Sequence, residues 1–231
     1  MSQSLVSMVI LTEQPKLGII RPLSLSMRTA DPNAPTKEKL LDAAMKLMLA
    51  QGFEATSVDE IIAEADATKG SLFHFFKSKE DLAKAALERF VSRQLGMFQA
   101  APFQNEKDPR ARVLGWIDAT IAAFQDPAMP KSCLLGNFSQ ELAPTHPDFQ
   151  SLCAQGFSRS AEGFARDLSA AGRGDAAHLA DLFLTIIQGS MILVKAKKDV
   201  SIGVENMRHF RSYIEGLLAP AVRRSPRRTR R

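Results

Sequence analysis

The sequence predicts an all-α protein, with a three-helix N-terminal unit followed by a larger helical unit. Three observations predict it. Apolar residues recur with a period near 3.6 from about residue 36 to residue 218. The periodic runs open on Ser, Thr or Asp and close on Gly or Pro, the residues that start and stop helices. Hydrophobic residues make up 45% of the 231 and Pro and Gly are scattered, so the runs can bury a core.

The elements follow in order. Residues 1–33 mix Pro15, Pro22 and Pro32 with serines and short apolar pieces, and are expected to form a flexible arm. Thr36 can cap a first helix whose face is Leu40, Ala44, Leu47 and Met48, with Gly52 ending it and Phe53 folding back as an apolar anchor. Ser57 and Glu60 make a capping box for a short second helix packed through Ile61, Ile62 and Ala65. Asp66 stands at a tight turn, where Asp tolerates a left-handed backbone. Thr68 caps a third helix, Lys69 to Phe76, and Ser78 with Asp81 opens a fourth over roughly 79–100.

Further helices are expected at about 109–125, 133–142, 148–171, 175–197 and 203–218, separated by Pro102, Pro109, Pro127, Pro130, Pro144, Pro147 and the Gly172–Gly174 turn. The domain limits are therefore 34–82 and 83–219, with 220–231 as a basic disordered tail. Trp116, Phe124, Phe157 and Met191 are candidates to wall an apolar cavity between these helices, although each also fits a packed core.

Charge narrows the function classes less than it first suggests. The formal balance is +5, but Arg223 to Arg231 holds six arginines, and without them 24 basic residues face 25 acidic ones. Such a tail either meets phosphates of a nucleic acid or keeps the chain end solvated. The segment from Thr36 to Asp81 is itself acidic, six lysines against nine carboxylates, so bulk charge does not make it a nucleic-acid binder.

Two cysteines, Cys133 and Cys153, are too few for a disulfide scaffold and fit a reducing compartment. The apolar run Val6 to Leu11 is short and follows no basic residue, unlike a secretory signal. The longest greasy stretch, Leu182 to Val194, is interrupted by Thr185, Gln188, Gly189 and Ser190 and reads as a buried helix rather than a membrane span. A cytoplasmic protein without membrane partners is expected.

A helix-turn-helix satisfies the spacing of the first three helices, as does any compact three-helix bundle. The stretch "LLDAAMKLMLAQGFEATSVDEIIAEADATKGSLFHFFKSKEDL", Leu40 to Leu82, decides more. It resembles the DNA-binding domain of the tetracycline-repressor family of bacterial regulators. The resemblance rests on the Gly52-Phe53 step, Thr56-Ser57-Val58, Ile62, the Lys69-Gly70-Ser71-Leu72 helix start and Phe76-Lys77-Ser78-Lys79-Glu80. The family usually has Gly where Asp66 stands, Tyr at 73, and His or Tyr at 75. Both of the latter are Phe here, and the change at 73 removes a hydroxyl able to reach phosphate.

The resemblance implies an operator-binding regulator, most simply a repressor. Thr36, Thr56 and Ser57 would hold phosphates at helix starts, and Lys79 would clamp another. Lys69, Ser71 and His74 would reach base edges or nearby phosphates, and Gly70 would let backbone approach the duplex. Leu72, Phe73 and Phe76 would pack. The partners implied are a double-stranded operator, a second copy docked through the helices near 175–197 and 203–218, and a small-molecule or reactive effector. No cofactor or metal is implied.

"KSCLLGNFSQELAPTHPDFQ", Lys131 to Gln150, and "GSMILVKAKKD", Gly189 to Asp199, resemble a narrower branch of the family. Some members of that branch sense electrophiles or oxidants through a cysteine placed as Cys133 is here. Lys131 or Lys195 would then lower the thiol pKa. The competing readings are release by a non-covalent apolar effector, with Cys133 a buried structural residue.

An enzyme is the rival class. His74, His146, His178 and His209 are scattered and form no H-E-x-x-H pattern, no phosphate-binding glycine loop exists, and Asp175 with His178 reads as a surface pair. A plain protein-interaction module would leave the Lys69–Glu80 segment unexplained.

Overall fold

The computed structural model describes residues 36–219, and the arm and tail expected at 1–33 and 220–231 lie outside the described residues. Among the described residues nine α-helices and one 3-10 turn follow one another: α1 Thr36–Gln51, α2 Val58–Glu64, α3 Lys69–Phe75, α4 Lys79–Gln99, the 3-10 turn Pro102–Asn105, α5 Pro109–Gln125, α6 Leu134–Glu141, α7 Pro147–Ala170, α8 Ala176–Lys197 and α9 Ser201–Leu218. The sequence reading finds every α-helix to within two residues and misses only the 3-10 turn.

The punctuation works as the residue types dictate. Gly52 takes φ +91° and its N–H donates to the Met48 carbonyl, closing α1. Ser57 accepts the Glu60 N–H while the Glu60 carboxylate accepts the Ser57 N–H, a complete capping box for α2. After α2, Asp66 adopts φ +48°, with the Asp66 N–H on Ala63 and the Ala67 N–H on Ile62. These two bonds form the Schellman closure that glycine usually completes. α7 ends the same way at Gly172. Ser78 caps α4 through the Asp81 N–H, but the return half of that box is missing. Asp81 is one methylene shorter than a glutamate and falls short of the cap N–H.

Two hydrophobic cores share the described chain. The first joins α1–α4 to α6 and the start of α7: Leu40, Met48, Phe53, Ile61, Leu72, Phe76, Leu82 and Leu87 pack in one cluster with Leu134, Leu135, Phe138 and Phe149. The second lies between α5, α7, α8 and α9 around Trp116, Phe164, Phe183 and Phe210. Met191 packs against both.

The second core is built by placing rings against glycine backbone. A Cβ on Gly163 would sit 2.6 Å from Cζ2 of Trp116, and one on Gly203 would enter the Phe124 ring. Trp116 stacks on Phe98 with ring centroids 4.7 Å apart. Its indole N–H donates to buried Asp167 (2.9 Å), whose other oxygen accepts from Arg112 Nε at 2.7 Å. Removing either partner of such a pair strands a buried charge.

α8 differs from its sequence reading. It is long and apolar enough, by length and composition alone, to cross a bilayer, yet only part of it is buried. Leu182, Ile192 and Leu193 on it, with Tyr213 on α9, are exposed. The run is therefore a half-buried helix with a greasy outer face.

Gly203→Ala is expected to overpack the α5–α9 contact and destabilise the fold by about 1–3 kcal/mol, read as a lower thermal midpoint with helical circular dichroism retained below it. An unchanged midpoint would show that Phe124 moves aside freely.

Candidate nucleic-acid interface

α2 and α3 are joined by Ala65, Asp66, Ala67 and Thr68, a four-residue turn set by the left-handed Asp66. Thr68 caps α3: its hydroxyl accepts the Ser71 N–H at 3.1 Å, and Ser71 Oγ accepts the Thr68 N–H at 3.0 Å. Leu72 and Phe76 face inward and are buried. The opposite face is open. Lys69 and Gly70 lie one turn before Phe73 and His74, and all four are exposed. Nothing crowds Gly70, whose missing Cβ would meet only Thr68 Oγ1 at 3.9 Å. Lys69 Nζ is 3.8 Å from an exposed Asp59 carboxylate, a contact too long and too wet to hold the ammonium.

Several sequence-read sites sit differently from expectation. Thr56 is fully buried, and its hydroxyl donates to the Gly52 carbonyl at 2.6 Å, so it faces the fold and not a ligand. The Ser71 hydroxyl is occupied by the Thr68 cap. Lys79 Nζ donates to the carbonyls of Phe53 and Thr56, both at 3.0 Å, and lies 4.0 Å over the Phe53 ring, so two of its three protons tie α4 to the α1–α2 turn. Phe73 is not a core residue: it is 46% exposed, and Phe75 is 40% exposed. Thr36 begins α1 and is exposed, and exposed Ser57 caps α2 while its hydroxyl donates to Glu60. Lys37, unremarked in the sequence, places its ammonium 6.0 Å over the Phe76 ring.

The cavity candidates are also corrected in part. Trp116 and Phe124 are 4% and 3% exposed and belong to the second core, because glycine backbones take their rings. Phe157 and Met191 are half-buried at the edge of the first core. Two open grooves run along α8, the larger of about 570 Å³ between α8 and α9 and lined by Leu182, Ile186, Leu193, Asn206, Phe210 and Tyr213. None of the four candidates lines either groove.

Cys133 is buried and is the N-cap of α6. Burial pushes its thiol above the ordinary cysteine value, while the Gly136 and Leu135 backbone and the Gln188 side chain pull partly the other way. No lysine acts on it. Lys131 donates instead to the carbonyls of Ala123 (2.8 Å) and Asp126 (2.6 Å), and Lys195 points outward, exposed on α8. The activation expected from lysines is therefore absent from this arrangement. Cys153 is also buried, and burial together with the neighbouring Cys133 raises its thiol, opposed by Ser139. Asp175 pairs with Arg173 through both oxygens, and this bond, with a smaller pull from His178, holds its carboxyl below the ordinary value, as befits a surface cluster.

The sequence profile described as bacterial regulatory proteins, tetR family, matches residues 40–86, and that of the LmrA/YxaF-like transcriptional regulator C-terminal domain matches residues 109–202. The chain belongs to the tetR family of bacterial regulatory proteins. The two matches coincide with the helix-turn-helix and with α5–α8.

Among tetR-type relatives, the HTH-type transcriptional regulator YxaF of Bacillus subtilis is 29% identical over 167 residues, 71% of this chain and 87% of YxaF. The HTH-type transcriptional repressor ComR of Escherichia coli is 28% identical over 70% of this chain and 80% of ComR. The E. coli repressor NemR is 29% identical over 52% of this chain and 61% of NemR. The crystal structure of E. coli NemR in its reduced form superposes with a TM-score of 0.70, covering 81% of this chain and 99% of that one at 23% identity. A tetR-family member with this fold is a DNA-binding transcription regulator and not an enzyme.

Because Cys133 is buried, and burial also raises its thiol above the ordinary value, iodoacetamide near neutral pH is expected to alkylate it in the native protein at least about tenfold more slowly than in the denatured chain. Peptide mapping by mass spectrometry reads this. Equal rates would mean that the thiol is open and activated after all.

Proposed function

We propose that this tetR-family regulator is a repressor that binds a palindromic operator as a dimer and releases it on binding a small apolar effector. The carrying observation is the open face of α3, where Lys69, Gly70, Phe73 and His74 stand together on a helix fixed from behind by Leu72 and Phe76. Lys69 would meet phosphate, His74 a base edge or phosphate, and the Phe73 ring a thymine methyl or a sugar. Thr36, Ser57 and the helix starts they mark would supply further phosphate contacts. Thr56, Ser71 and Lys79 would act indirectly, by shaping the turns.

A dimer supports the reading physically. One short helix touches few bases, and two copies on a palindrome double the contacts. The exposed Leu182, Ile192, Leu193 and Tyr213 on α8 and α9 form the apolar face that a second copy would cover. A protein working on chromosomal DNA would reside in the cytoplasm, in keeping with its two unpaired thiols.

The effector would act at the seam between the cores, where Met191 touches both and Phe157 borders the first. A second reading is favoured by the cysteines: Cys133 and Cys153 are near enough for one to raise the other, and a similar fold was crystallised in a state described as reduced. In that reading modification of Cys133 at the start of α6 displaces the helix.

The test is a gel shift at fixed salt on a duplex that the wild-type protein enriches from a random pool. Lys69→Ala and His74→Ala are each expected to weaken binding by about tenfold or more, with the dimer intact by light scattering. Native affinity in both would contradict the assignment. Adding a quinone or hypochlorite to wild type and Cys133→Ser separates the readings: release of wild type alone makes Cys133 the sensor, and release of neither leaves the non-covalent effector.

A further inference from the structure

The α1–α2 turn is gripped from outside the helix-turn-helix by a residue to which the sequence reading assigned nothing. Glu141, at the end of α6, reaches across 88 positions of chain. Its Oε2 accepts the Phe53 N–H at 2.8 Å and its Oε1 accepts the Glu54 N–H at 2.7 Å. One turn earlier on α6, Asn137 Nδ2 lies 3.3 Å from the Met48 carbonyl, which also takes the Gly52 N–H, and 3.4 Å from the Leu49 carbonyl, both at the end of α1. The Phe53 ring packs against both Phe138 of α6 and Phe149 of α7, at centroid distances of 6.2 and 6.1 Å, and completes a three-ring cluster in which those two rings also touch. Gly52 leaves the room: a Cβ there would lie 2.9 Å from Glu141 Oε2.

The other end of α6 meets α8 through one side chain, Gln188. Gly136 lies so close to Gln188 that a Cβ would collide with its Oε1. α6 thus lies between Gln188 of α8 at its start and the turn that launches α2 at its end.

We propose that Glu141 is a positioning residue for DNA reading: by holding both N–H groups of the Phe53–Glu54 turn, it fixes the angle at which each helix-turn-helix projects from the regulatory helices. In a dimer that angle sets the separation of the two α3 helices. A charge-assisted, two-point grip suits this task better than apolar packing alone, since paired bonds restrict rotation as well as distance. The inference rests on the dimeric operator reading, and it differs from it in what it moves. Loss of the grip leaves each α3 face intact and disturbs only the register between two of them.

The experiment compares Glu141→Ala, Glu141→Gln and Glu141→Asp on two duplexes: the full site enriched by the wild-type protein, and the same duplex with one half-site scrambled. Glu141→Ala is expected to lower the ratio of full-site to half-site affinity by about tenfold, within the usual range of coupling between sites. Half-site binding stays within about twofold of wild type and the dimer mass is unchanged on the same account. Glu141→Gln keeps one acceptor oxygen and is expected to fall between Glu141→Ala and wild type. Should Glu141→Ala fail to fold, the Gln and Asp variants carry the comparison. An unchanged ratio, whether both affinities fall together or neither moves, overturns the proposal, because the carboxylate would then only stabilise the turn or do nothing. Failure of the wild-type protein to enrich any duplex would instead overturn the DNA reading beneath it, and it would appear before any variant is measured.

Discussion

The turn from Gly52 to Thr56 is the joint on which the arrangement depends. Irregular backbone this close to a core must find partners for its polar groups or bury them at a cost. Here they are supplied from three helices. Glu141 of α6 accepts the N–H groups of Phe53 and Glu54, Lys79 of α4 donates to the carbonyls of Phe53 and Thr56, and Gln51 of α1 donates to the Ala55 carbonyl. Thr56 closes the loop on itself through the Gly52 carbonyl. Gly52 answers two demands at once, a left-handed backbone and space for a carboxylate. The helix-turn-helix begins at Ser57, immediately after this joint, so its placement is inherited from it.

The two cores extend the same logic. The one that holds the helix-turn-helix does not stop at α4, because Leu134, Leu135, Phe138 and Phe149 complete it. α6 is therefore as much part of the support for the DNA-facing unit as of the rest. The other core is stiff for a different reason: Trp116 and Phe124 lie directly on the backbone of Gly163 and Gly203, and Asp167 locks Trp116 and Arg112 together. Interlocked rings of this kind leave few intermediate packings. Met191, touching both cores, and Gln188, against Gly136, are points where α8 meets the first core and α6.

Local chemistry is legible in the residues themselves. The caps at Ser57 and Thr68, the left-handed Asp66 and the helix limits follow from spacing and residue type, and the structure has them in place. Tertiary partners are not legible. Thr56 and Lys79 have the right residue types for phosphate contact, but burial claims the first and two carbonyls the second. Phe73 looks like a packing residue until Leu72 and Phe76 are seen to fill the inward face. Glu141 carries no signal because the amides it holds lie 87 and 88 positions away. Cys133 shows the same limit, since Lys131, two positions before it, bonds elsewhere in space and burial governs its thiol. The nearest available signal for Glu141 was Gly52, read as a helix stop when it also makes room for a side chain.

The most direct measurement is selection of duplexes from a random pool by the purified protein, followed by the mass of the complex it forms. The account predicts an inverted repeat with half-site centres about 10 base pairs apart, or a small multiple, and an even number of protomers on each duplex. No enriched sequence, or a single unrepeated motif bound by one protomer, would contradict it.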